Sequence, residues 1–571
     1  MASDRLGPEQ RAISLDAIDG NRVDLIVIGG GITGVGCALD AASRGLTVAL
    51  FEQRDLASGT SSRSSKLIHG GVRYLEQLNF RLVLEALRER NLLTKELAPH
   101  LVKSVSFLYP LKHRFWERIY VGLGIGLYDL FAAGTRNSLP RHRHVGPKAV
   151  KRLSPDIKMA KGCGAIIYSD ALTDDSRYTI SVARTAAGYG SHILTSTQVV
   201  DFLKDGDKVV GVQAVCTETG RHIEVRSSCV VNATGVWTDD VEQLARDKTA
   251  EISPKKVRSS KGVHLVVPRD RIKSSTGLVS RTEKSVLFII PWSDHWIIGT
   301  TDTDWALDRA HPAATSNDIS YLLQRVNELL KSQLDPSDIQ GVYVGLRPLL
   351  TGESDDTSKL SREHHVSHPT PGVVSIAGGK YTTYRVMARD AVNAAVAEVP
   401  RWVSPSRTKE IQLVGAENFL KLEEKISSLS TENDIDVPTA RHLLDRHGDR
   451  IHEVFDIIAE SPDLKEQLSP GYPYLRAEVV HAVRFECALH LEDVLTRRTR
   501  LSIESWDRAS NAAPAAASLM AAELGWTSEQ RYSEIQIYNE RVIAERKSQT
   551  YFDDESAQSS RLAAMDSRQS V

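Results

Sequence analysis

Near its N-terminus the chain reads Val23-Asp24-Leu25-Ile26-Val27-Ile28-Gly29-Gly30-Gly31-Ile32-Thr33-Gly34. The run that ends at Ile28 is short and mostly apolar, which predicts a buried strand. Residues 32–44 are small and apolar at helical spacing, and Gly45 suits the position that follows a helix. The run Thr47-Val48-Ala49-Leu50-Phe51 predicts the next strand. This order predicts a complete Rossmann-type βαβ unit.

The glycines of this unit predict a dinucleotide site. Gly29, Gly31 and Gly34 form G-x-G-x-x-G. In that pattern the first glycine makes the tight turn, the second lets the backbone approach a pyrophosphate, and the third lets the helix pack on the strand. The helix that begins at Ile32-Thr33 offers unpaired N–H groups to the anionic bridge. Glu52, followed by Gln53, ends the second strand, where a carboxylate binds the adenosine ribose.

The glycine turn alone does not separate FAD from NAD, but the next stretch favours FAD. Leu56-Ala57-Ser58-Gly59-Thr60-Ser61-Ser62-Arg63-Ser64-Ser65-Lys66 is rich in hydroxyls and small residues, as a loop along a pyrophosphate and ribityl chain would be. The alternative is a flexible serine-rich linker. Its continuation, Leu67-Ile68-His69-Gly70-Gly71-Val72-Arg73-Tyr74-Leu75, is not linker-like.

Composition limits the class of protein. The 571 residues suffice for about three domains, and 41% hydrophobic with 25% charged residues is typical of a globular protein. The formal charge of −2 does not indicate a nucleic-acid partner. The 5 cysteines contain no CxxC pair, so we predict no metal site, no disulfide framework and a reducing, cytoplasmic location.

Targeting and membrane signals are weak. No secretory signal is visible near the N-terminus, and no run reaches the ~20 apolar residues of a spanning helix. The closest run, residues 119–134, is shorter, rich in glycine and interrupted by Asp129. We interpret it as a buried segment, with a lipid-facing surface as the alternative.

Changes of pattern along the chain predict its domains. We expect a flexible arm at 1–20, a discontinuous nucleotide-binding domain at 21–95, 171–255 and 341–400, and a strand-rich substrate or cap domain at 96–170 and 256–340. Helical periodicity from residue 416 to 548 predicts an all-α domain at 401–548. The polar segment 549–571 is expected to be a disordered tail.

Several further motifs carry a family resemblance. Besides the run from Ser58 to Glu76, they are Asn232-Ala233-Thr234-Gly235-Val236-Trp237, Ser260-Lys261-Gly262-Val263-His264-Leu265, Gly299-Thr300-Thr301-Asp302-Thr303-Asp304, Gly345-Leu346-Arg347-Pro348-Leu349, Gly378-Gly379-Lys380-Tyr381-Thr382-Thr383-Tyr384-Arg385 and Glu492-Asp493-Val494-Leu495-Thr496-Arg497-Arg498-Thr499-Arg500. In this order, over roughly residues 20–545, the chain resembles the FAD-dependent glycerol-3-phosphate dehydrogenases. Leu346 stands where the family pattern has Val or Ile, a difference without chemical consequence.

The resemblance implies an α/β FAD-binding domain of the glycine/D-amino-acid oxidase type, a β-rich substrate domain and an all-α C-terminal domain. It implies non-covalent FAD, oxidation of sn-glycerol 3-phosphate to dihydroxyacetone phosphate by hydride transfer from C2 to flavin N5, and a quinone as electron acceptor. The cofactor contacts expected from the fingerprint and the resemblance are Gly29, Gly31, Ile32, Thr33, Gly34, Glu52, Gln53, Ser58, Thr60, Ser61, Ser64, Ser65, Lys66, Leu67, His69, Val199, Ala233, Gly235, Trp237, Asp302, Gly379, Lys380, Thr382 and Thr383.

This chemistry needs cations for the phosphate and a base for the hydroxyl. For the phosphate we expect Arg347 and Lys380, with Arg73, Tyr74 and His264 adding contacts. For the base, His69 is the first choice because its ordinary pKa lies close to neutral pH. Lys261 and His264 are the alternatives, and the sequence does not rank the three. The helix N-terminus at Thr382-Thr383 would favour the charge of reduced flavin.

Other functions stay open at this point. One is an oxidase of the same fold that passes electrons to oxygen, and another is a different FAD oxidoreductase of the glycine-oxidase type. An amine oxidase or a flavin-binding regulator would lack the phosphate cations. A quinone acceptor implies peripheral membrane contact, for which Lys112-His113-Arg114 beside the apolar run 119–131, and Arg141-His142-Arg143-His144, are the basic surfaces. A homo-oligomer is also expected, and the role of the C-terminal domain is open.

Overall fold

A computed structural model of the chain describes residues 3–71, 79–113, 115–133, 139–246, 256–282, 286–351 and 363–568. Its strands are β1 Arg22–Ile28, β2 Val48–Phe51, β3 Leu67–Ile68, β4 Val102–Pro110, β5 Arg143–Val145, β6 Ala165–Thr173, β7 His192–Leu194, β8 Thr197–Asp205, β9 Lys208–Cys216, β10 His222–Asn232, β11 Val257–Pro268, β12 Gly277–Arg281, β13 Val286–Trp292, β14 His295–Gly299, β15 Thr303–Trp305, β16 Gly341–Leu350, β17 His364–Thr370 and β18 Val373–Gly378. Its α-helices are α1 Pro8–Ile18, α2 Ile32–Ser43, α3 Phe80–Leu92, α4 Trp116–Ala133, α5 Pro147–Leu153, α6 Asp175–Gly188, α7 Thr238–Ala245, α8 Ser316–Leu329, α9 Tyr384–Ala395, α10 Phe419–Glu424, α11 Ile426–Glu432, α12 Val437–His447, α13 Ile451–Glu460, α14 Arg476–Glu486, α15 Leu501–Glu504, α16 Ala513–Leu524, α17 Ser528–Ser548 and α18 Asp554–Leu562.

The first sheet carries the predicted βαβ unit. Its strand order is β17-β18-β10-β1-β2-β7, and β1 pairs in parallel with both β2 and β10. Helices α2, α6 and α9 cover one face through a continuous apolar core, which includes Leu25, Val35 and Ala391. β8 and β9 pack with the other face around Phe202 and Val212. The parallel strands are therefore buried on both sides, which is why they read as unbroken apolar runs.

The second sheet forms the cap. Its order is β15-β11-β14-β13-β12-β4-β6-β3, and β16 pairs with β11 along its whole length, from Val257↔Leu350 to Val266↔Gly341. Helix α8 covers one face of this sheet over a core that includes Val263, Leu265 and Trp296. The predicted nucleotide-binding segment 341–400 therefore begins too early, because β16 belongs to the cap sheet. Strand order cannot be read from local periodicity.

Helices dominate the region beyond residue 410. The core of α14, α16 and α17 is built from small residues such as Ala482, Ala516 and Ala517, and Tyr538 packs on it. A second apolar cluster joins α12, α13 and α14 around Leu444 and Phe455. The 5 cysteines are all buried, and each has a free thiol.

The N-terminal segment is not the flexible arm that we expected. Pro8–Ile18 forms helix α1, with Leu15 and Ile18 buried against the first sheet. The Arg11 guanidinium donates to the Thr195 carbonyl oxygen at 2.8 Å and to the Ser196 carbonyl oxygen at 3.2 Å. The sequence did not indicate this helix, because its central contact is made by the Arg11 guanidinium and not by an apolar side chain.

The C-terminal segment is also ordered and not a disordered tail. Asp553 caps helix α18 by accepting from the Ser556 N–H at 2.8 Å, and Ala557 is fully buried. Beyond the helix, Arg568 forms an ion pair with Asp493 at 2.7 Å. Ionic contacts hold the segment in place, and a polar composition does not reveal such contacts.

Candidate functional site

One cavity lies at the carboxyl ends of the parallel strands. It has a volume of about 480 Å³ and is lined by the residues that end β1, β2 and β18, among them Ile28, Phe51 and Gly378. Ligands of open α/β sheets bind in this position. From the glycine turn the cavity extends to β11 and β16 of the cap, so both sheets contribute to its wall.

The glycine turn forms one end of the cavity. Gly29 has a φ of +111°, a left-handed conformation that suits glycine. A Cβ on Gly34 would lie 1.9 Å from the Gly29 carbonyl oxygen, and a Cβ on Gly30 would lie 2.8 Å from the Glu52 side chain. Gly29, Gly31, Ile32 and Thr33 line the cavity, whereas Gly34 lies behind it as the packing glycine.

Glu52 lies beside this turn. Its Oε2 accepts from the Gly30 N–H at 2.7 Å and its Oε1 accepts from the Arg54 N–H at 2.9 Å. Burial raises the pKa of Glu52, while the two N–H donors act in the opposite direction. The carboxyl group therefore sits in the cavity wall at the place where the fingerprint expects a ribose partner.

The hydroxyl-rich loop follows the cavity wall, as the sequence predicted. Ser61 Oγ accepts from the first N–H of α2, at Ile32, over 2.9 Å. Thr60 Oγ1 donates to the Leu346 carbonyl oxygen at 2.6 Å, and Ser65 Oγ lies 2.8 Å from His264 Nε2. The loop thereby joins the glycine turn to β16 and β11 of the cap.

Buried ion pairs from the C-terminal domain hold this loop from behind. Arg498 donates to both oxygens of Asp55 at 2.6 and 2.8 Å, and Arg497 Nε donates to Asp55 at 2.5 Å. Arg500 pairs with Asp174 at 2.6 Å and with Asp175. Asp175 in turn accepts from the Ser64 hydroxyl at 2.7 Å. The Arg497-Arg498-Thr499-Arg500 motif therefore positions the cofactor loop, a role that the sequence had left open.

Arg347 stands at the cap end of the cavity. Its Nη2 donates to Thr300 Oγ1 at 3.0 Å, and Asp302 lies 3.8 Å from its Nη1. Its side chain is 20% exposed and lines the cavity. A Cβ on Gly262 would lie 2.5 Å from Arg347 Nη2, so a larger residue there would displace the guanidinium from its present position. The sequence alone did not indicate this role for Gly262.

Lys380 enters the cavity wall through a glycine pair. Gly378 and Gly379 have φ values of +75° and +81°, and a Cβ on Gly379 would lie 2.5 Å from the Met387 sulfur. Lys380, Thr382 and His69 all line the cavity. The His69 N–H donates to Thr382 Oγ1 at 3.1 Å, which ties the histidine segment to the start of α9.

His264 faces the cavity from β11. Its ring stacks on Tyr343 with centroids 4.7 Å apart. Burial, and then the charges of Arg347 and Lys66, hold its pKa well below the usual range. Its Nδ1 is buried and has no hydrogen-bond partner among the residues that the structure describes. A ring with so low a pKa is a weak base and is suited to neutral hydrogen bonding.

Lys261, which we expected as an alternative base, is wrongly assigned. Its Nζ lies 2.7 Å from Asp318 and also pairs with Asp554, and its side chain is only 2% exposed. Gly262 and His264 line the cavity but Lys261 does not. Side chains alternate along a strand, so Lys261 on β11 points to the opposite face from His264.

Three further predicted cofactor contacts do not line the cavity. Lys66 is fully buried, with its Nζ 2.7 Å from Asp175, so it supports the loop from behind. Asp302 accepts from Ser260 and lies behind Arg347. Thr383 is 1% exposed within the wall. Arg73 and Tyr74, expected at the phosphate, lie outside the described residues.

The remaining predicted contacts line the cavity, and several side chains that we missed line it with them. The predicted set also includes Gln53, Ser58, Ser64, Leu67, Val199, Ala233, Gly235 and Trp237. The missed side chains are Arg54, Arg63, Gln198, Asp240, Leu244, Leu349 and Met387. Arg63 could have been found, because it lies within the cofactor loop, and Arg54 directly follows the predicted contact Gln53. Leu244 and Met387 carry no local signal, because helix packing alone places them there.

These features fit an FAD molecule. The cavity has a glycine turn with no room for a Cβ at Gly29 or Gly30, a carboxyl beside that turn, and cations in its lining. A dinucleotide needs this combination of close backbone approach and a ribose acceptor. The residues present therefore suit the group that the sequence predicted.

A cluster of ligand-type side chains lies elsewhere, in the C-terminal domain. His447, His481 and Glu486 have ligand atoms within 4.8 Å of one another, and they form the one such group found among the described residues. However, Arg177 donates to Glu486, and its charge already occupies the place that a cation would take. We assign no metal to this cluster.

Comparison with known proteins also indicates an FAD-dependent enzyme. The family described as FAD dependent oxidoreductase matches residues 24–385, and the C-terminal domain of alpha-glycerophosphate oxidase matches residues 406–531. A glycerol-3-phosphate dehydrogenase of Mycobacterium leprae is 52% identical over 566 residues, covering 99% of this chain and 96% of that protein. The mitochondrial glycerol-3-phosphate dehydrogenase of Homo sapiens is 36% identical and covers 91% of this chain and 73% of its own length.

Solved structures extend the comparison to the fold. The glycerol-3-phosphate dehydrogenase from Bacillus halodurans complexed with FAD has a TM-score of 0.76 and 28% identity, covering 94% of this chain and 97% of that one. The L-alpha-glycerophosphate oxidase from Mycoplasma pneumoniae shares the fold, with a TM-score of 0.51 and 16% identity over 69% of this chain and 99% of that one. The predicted fold class and FAD as cofactor are confirmed, and the chain belongs to the glycerol-3-phosphate dehydrogenase family of FAD-dependent oxidoreductases.

Proposed function

We propose that the chain oxidises sn-glycerol 3-phosphate to dihydroxyacetone phosphate with FAD as its bound oxidant. The observation that carries this proposal is one cavity that is lined both by the glycine turn and by two cations, Arg347 and Lys380. The name of the M. leprae relative, 52% identical over nearly the whole chain, supports it.

Arg347 and Lys380 bind the phosphate in this proposal. A guanidinium presents a planar fork to two phosphate oxygens, and an ammonium adds a compact point charge. Thr300 Oγ1 accepts from one Arg347 nitrogen at 3.0 Å and so sets the direction of the fork. Glycerol without a phosphate loses both ionic contacts and is expected to be a poor substrate.

His69 accepts the proton of the C2 hydroxyl. It lines the cavity together with Lys380 and Thr382, whereas Lys261 is paired on the far face of β11. His264 has a pKa lowered well below the usual range by burial, so it is a weak base. In this proposal His264 donates or accepts a hydrogen bond and does not carry the proton.

FAD, when bound, supplies the acceptor for the hydride that leaves C2. The chain contributes positioning, charge neutralisation and removal of the hydroxyl proton. The cap strands β11 and β16 close one side of the cavity, which lowers the local dielectric and strengthens the phosphate contacts.

Anaerobic mixing of the holoenzyme with glycerol 3-phosphate tests this proposal. We expect the flavin absorption at roughly 450 nm to bleach with glycerol 3-phosphate and to persist with glycerol. The Arg347→Gln variant should retain the flavin but need at least about tenfold more substrate for half-maximal bleaching, because one charge-assisted phosphate contact is lost. Equal bleaching by glycerol, or an unchanged substrate requirement in the variant, would contradict the assignment.

A quinone is the electron acceptor in this proposal, and oxygen is the second candidate. The dehydrogenase names of the relatives support the quinone, while the oxidase C-terminal family that matches residues 406–531 favours the alternative. Turnover with a soluble ubiquinone analogue and with air-saturated buffer separates the two. Stoichiometric hydrogen peroxide without quinone reduction would assign the chain as an oxidase.

Helix α4 is the surface that we assign to membrane contact. Within the described residues, no helix is both long enough and apolar enough to cross a bilayer. The exposed side chains of α4 nevertheless form one apolar stripe: Trp116, Ile119, Tyr120, Leu123 and Leu130 are 52–70% exposed. Spacings of three, four and seven residues place them on one face. The sequence interpretation of this run as buried is therefore wrong for that face.

The charges around α4 favour an anionic lipid surface. Its acidic residues point inward: Glu117 accepts from the backbone N–H groups of Lys112 and His113, and Asp129 accepts from His142. The neighbouring Arg141 and Arg143 are exposed. An apolar stripe with basic flanks lies in the headgroup region of a membrane without crossing it.

Co-sedimentation with vesicles tests the membrane assignment. We expect binding to vesicles with about one third anionic lipid, and weaker binding to neutral vesicles or at high salt. Leu123→Glu should abolish binding, whereas Ile543→Glu, at a similarly exposed apolar position (65%) on α17, should bind like the unchanged protein. Equal loss in both variants, or no binding of the unchanged protein at low salt, would refute the assignment.

A further inference from the structure

A second, smaller cavity lies between the C-terminal helices, the cofactor loop and β16. Its volume is about 100 Å³, roughly the room of three water molecules or of one tetrahedral oxyanion. Its walls come from Ser62 and Arg63 of the loop, from β16 around Tyr343, and from α17 and α18. We call it the arginine cavity.

Positive charge is in excess around the arginine cavity. Among its described lining residues, the guanidinium groups of Arg63, Arg508, Arg541 and Arg561 share two carboxylates, Glu492 and Glu545. A fifth arginine, Arg500, is already paired with Asp174 and Asp175. The arrangement leaves a formal excess of about two positive charges in a buried place, which is costly without an anion.

The existing ion pairs around the cavity are loose. Glu545 lies 3.3 Å from both Arg508 and Arg561, and Glu492 lies 3.5 Å from Arg541. Arg508 is only 5% exposed. Burial lowers the pKa of Arg63 to about 9, with Arg561 adding to the effect, and burial also lowers the pKa values of Arg508 and Arg561.

Three hydrogen-bond donors in the lining support the same conclusion independently. Ser502 Oγ, Gln549 Nε2 and Arg561 Nε are buried, and none has a hydrogen-bond partner among the described residues. Buried donors in folded proteins are normally satisfied, so an acceptor belongs here. A neutral water would satisfy donors but would leave the excess charge uncompensated.

We propose that the arginine cavity binds one phosphate-sized tetrahedral oxyanion, which joins the C-terminal helices to the cofactor loop. This inference does not rest on the proposed substrate. Its link to the main site is physical: Arg63 lines both cavities, and Tyr343 of the arginine cavity stacks on His264 of the main cavity at 4.7 Å.

Equilibrium dialysis of the holoenzyme with radiolabelled inorganic phosphate tests the proposal. The main cavity can also bind phosphate, so Arg347→Gln is used as the background in which binding there is weakened at least about tenfold and the arginine cavity is the tighter site. We expect that variant to bind one phosphate per chain. Adding Arg561→Gln should weaken binding by about tenfold or more, because a charge-assisted donor is lost. No phosphate bound to the Arg347→Gln holoenzyme would overturn the proposal.

A charge-replacement variant guards against misfolding as the cause of lost binding. Gln549→Glu places a carboxylate in the cavity lining, where it should take over from the oxyanion. We expect its unfolding midpoint in phosphate-free buffer to exceed that of the unchanged protein and to be insensitive to added phosphate, while phosphate stabilises the unchanged protein. The control Gln536→Glu adds the same charge on the exposed face of α17. A lower midpoint for Gln549→Glu, or a phosphate response equal to that of the control, would overturn the proposal.

Competition identifies the source of the oxyanion. In the Arg347→Gln background, displacement of labelled phosphate by sulfate but not by glycerol 3-phosphate supports a free inorganic ion. Displacement by glycerol 3-phosphate at similar concentrations supports the phosphate group of a monoester. Displacement by neither ligand contradicts an oxyanion site.

Discussion

At the scale of single residues, the side-chain alternation of one strand separates the roles of two neighbouring candidates. Lys261 and His264 lie on β11, and only the histidine faces the cavity. The lysine is paired with Asp318 and Asp554, and these contacts hold its charge on the opposite face of the strand. In the proposed reaction Lys261 is therefore not the base, and the lowered pKa of His264 makes that ring a weak base.

His69→Asn tests the proposal that His69 is the base. We expect the variant to retain FAD and to be reduced by glycerol 3-phosphate roughly a hundredfold more slowly, the usual size of a general-base effect. Stopped-flow measurement of flavin reduction checks it, with His113→Asn at an exposed position as the matched control. A near-normal rate in His69→Asn would exclude His69 as the base.

The same residues show which site residues can be identified from a single sequence. Residue type and family motif brought His69, Arg347 and Lys380 together as site residues, and all three line one cavity. The motif that contains His264 also contains Lys261, and residue type alone could not rank them. The alternation of side chains along β11 separates the two residues, because successive side chains of a strand point to opposite faces of the sheet.

At the scale of elements, the segment Arg497-Arg498-Thr499-Arg500 and the cofactor loop are held together by buried charges. Asp55 is fully buried and accepts from both Arg497 and Arg498. Removing one partner of such a group leaves buried charge uncompensated, which costs far more than an exposed pair contributes.

We therefore expect Asp55→Asn to lower the free energy of unfolding by about 3–5 kcal/mol and to accelerate FAD release. Asp463→Asn, which disturbs the exposed pair with Arg476, should cost less than about 1 kcal/mol. Urea unfolding followed by flavin fluorescence measures both changes. Similar small effects in the two variants would contradict the supporting role of the C-terminal motif.

His490 lies at the same interface and makes the stability of the fold depend on pH. Burial and Arg568 lower its pKa, but hydrogen bonds with Glu218 and Glu534 outweigh them and raise it to about 9. Because this pKa is raised above its ordinary value, the protonated histidine stabilises the fold, and its contribution to the free energy of unfolding is complete below about pH 6.5. That contribution is lost as the pH rises through about 9.

The corresponding contribution to stability is about 3 kcal/mol. We expect the unfolding midpoint to fall between pH 7 and 9.5, and His490→Gln to remove most of this slope. The exposed His222, replaced by Gln, is the control and should leave the slope unchanged. If His490→Gln retained the full alkaline loss of stability, another group would have to be responsible.

At the scale of the whole molecule, the C-terminal segment closes over regions that are distant in sequence. Asp554 pairs with Lys261 of the cap, Asp566 lies 2.5 Å from Arg54 and 2.7 Å from His311, and Arg568 pairs with Asp493. Because Arg54 lines the FAD cavity, the segment helps to hold that wall.

Truncation after Tyr551 tests this role. We expect the shortened chain to unfold at a lower temperature and to lose FAD faster on dilution, because Lys261 and Arg54 lose partners. Truncation after Arg568 keeps the ion pairs of Asp554, Asp566 and Arg568 and should behave like the full chain. Equal FAD retention in the two truncated proteins would show that the segment is dispensable for the cavity.

The sequence by itself determined the βαβ unit, the glycine turn, the cofactor loop and two cations of the cavity lining, Arg347 and Lys380. These are local features, in which residue type and short spacing dictate backbone conformation and charge. Tertiary structure alone decided the sheet to which β16 belongs, the face of β11 that meets the cavity, and the order of both chain ends. It also decided that Arg497, Arg498 and Arg500 support the cofactor loop from behind. Those outcomes depend on pairings between residues far apart in the chain, and long-range ion pairs and strand order leave no periodic trace in the sequence.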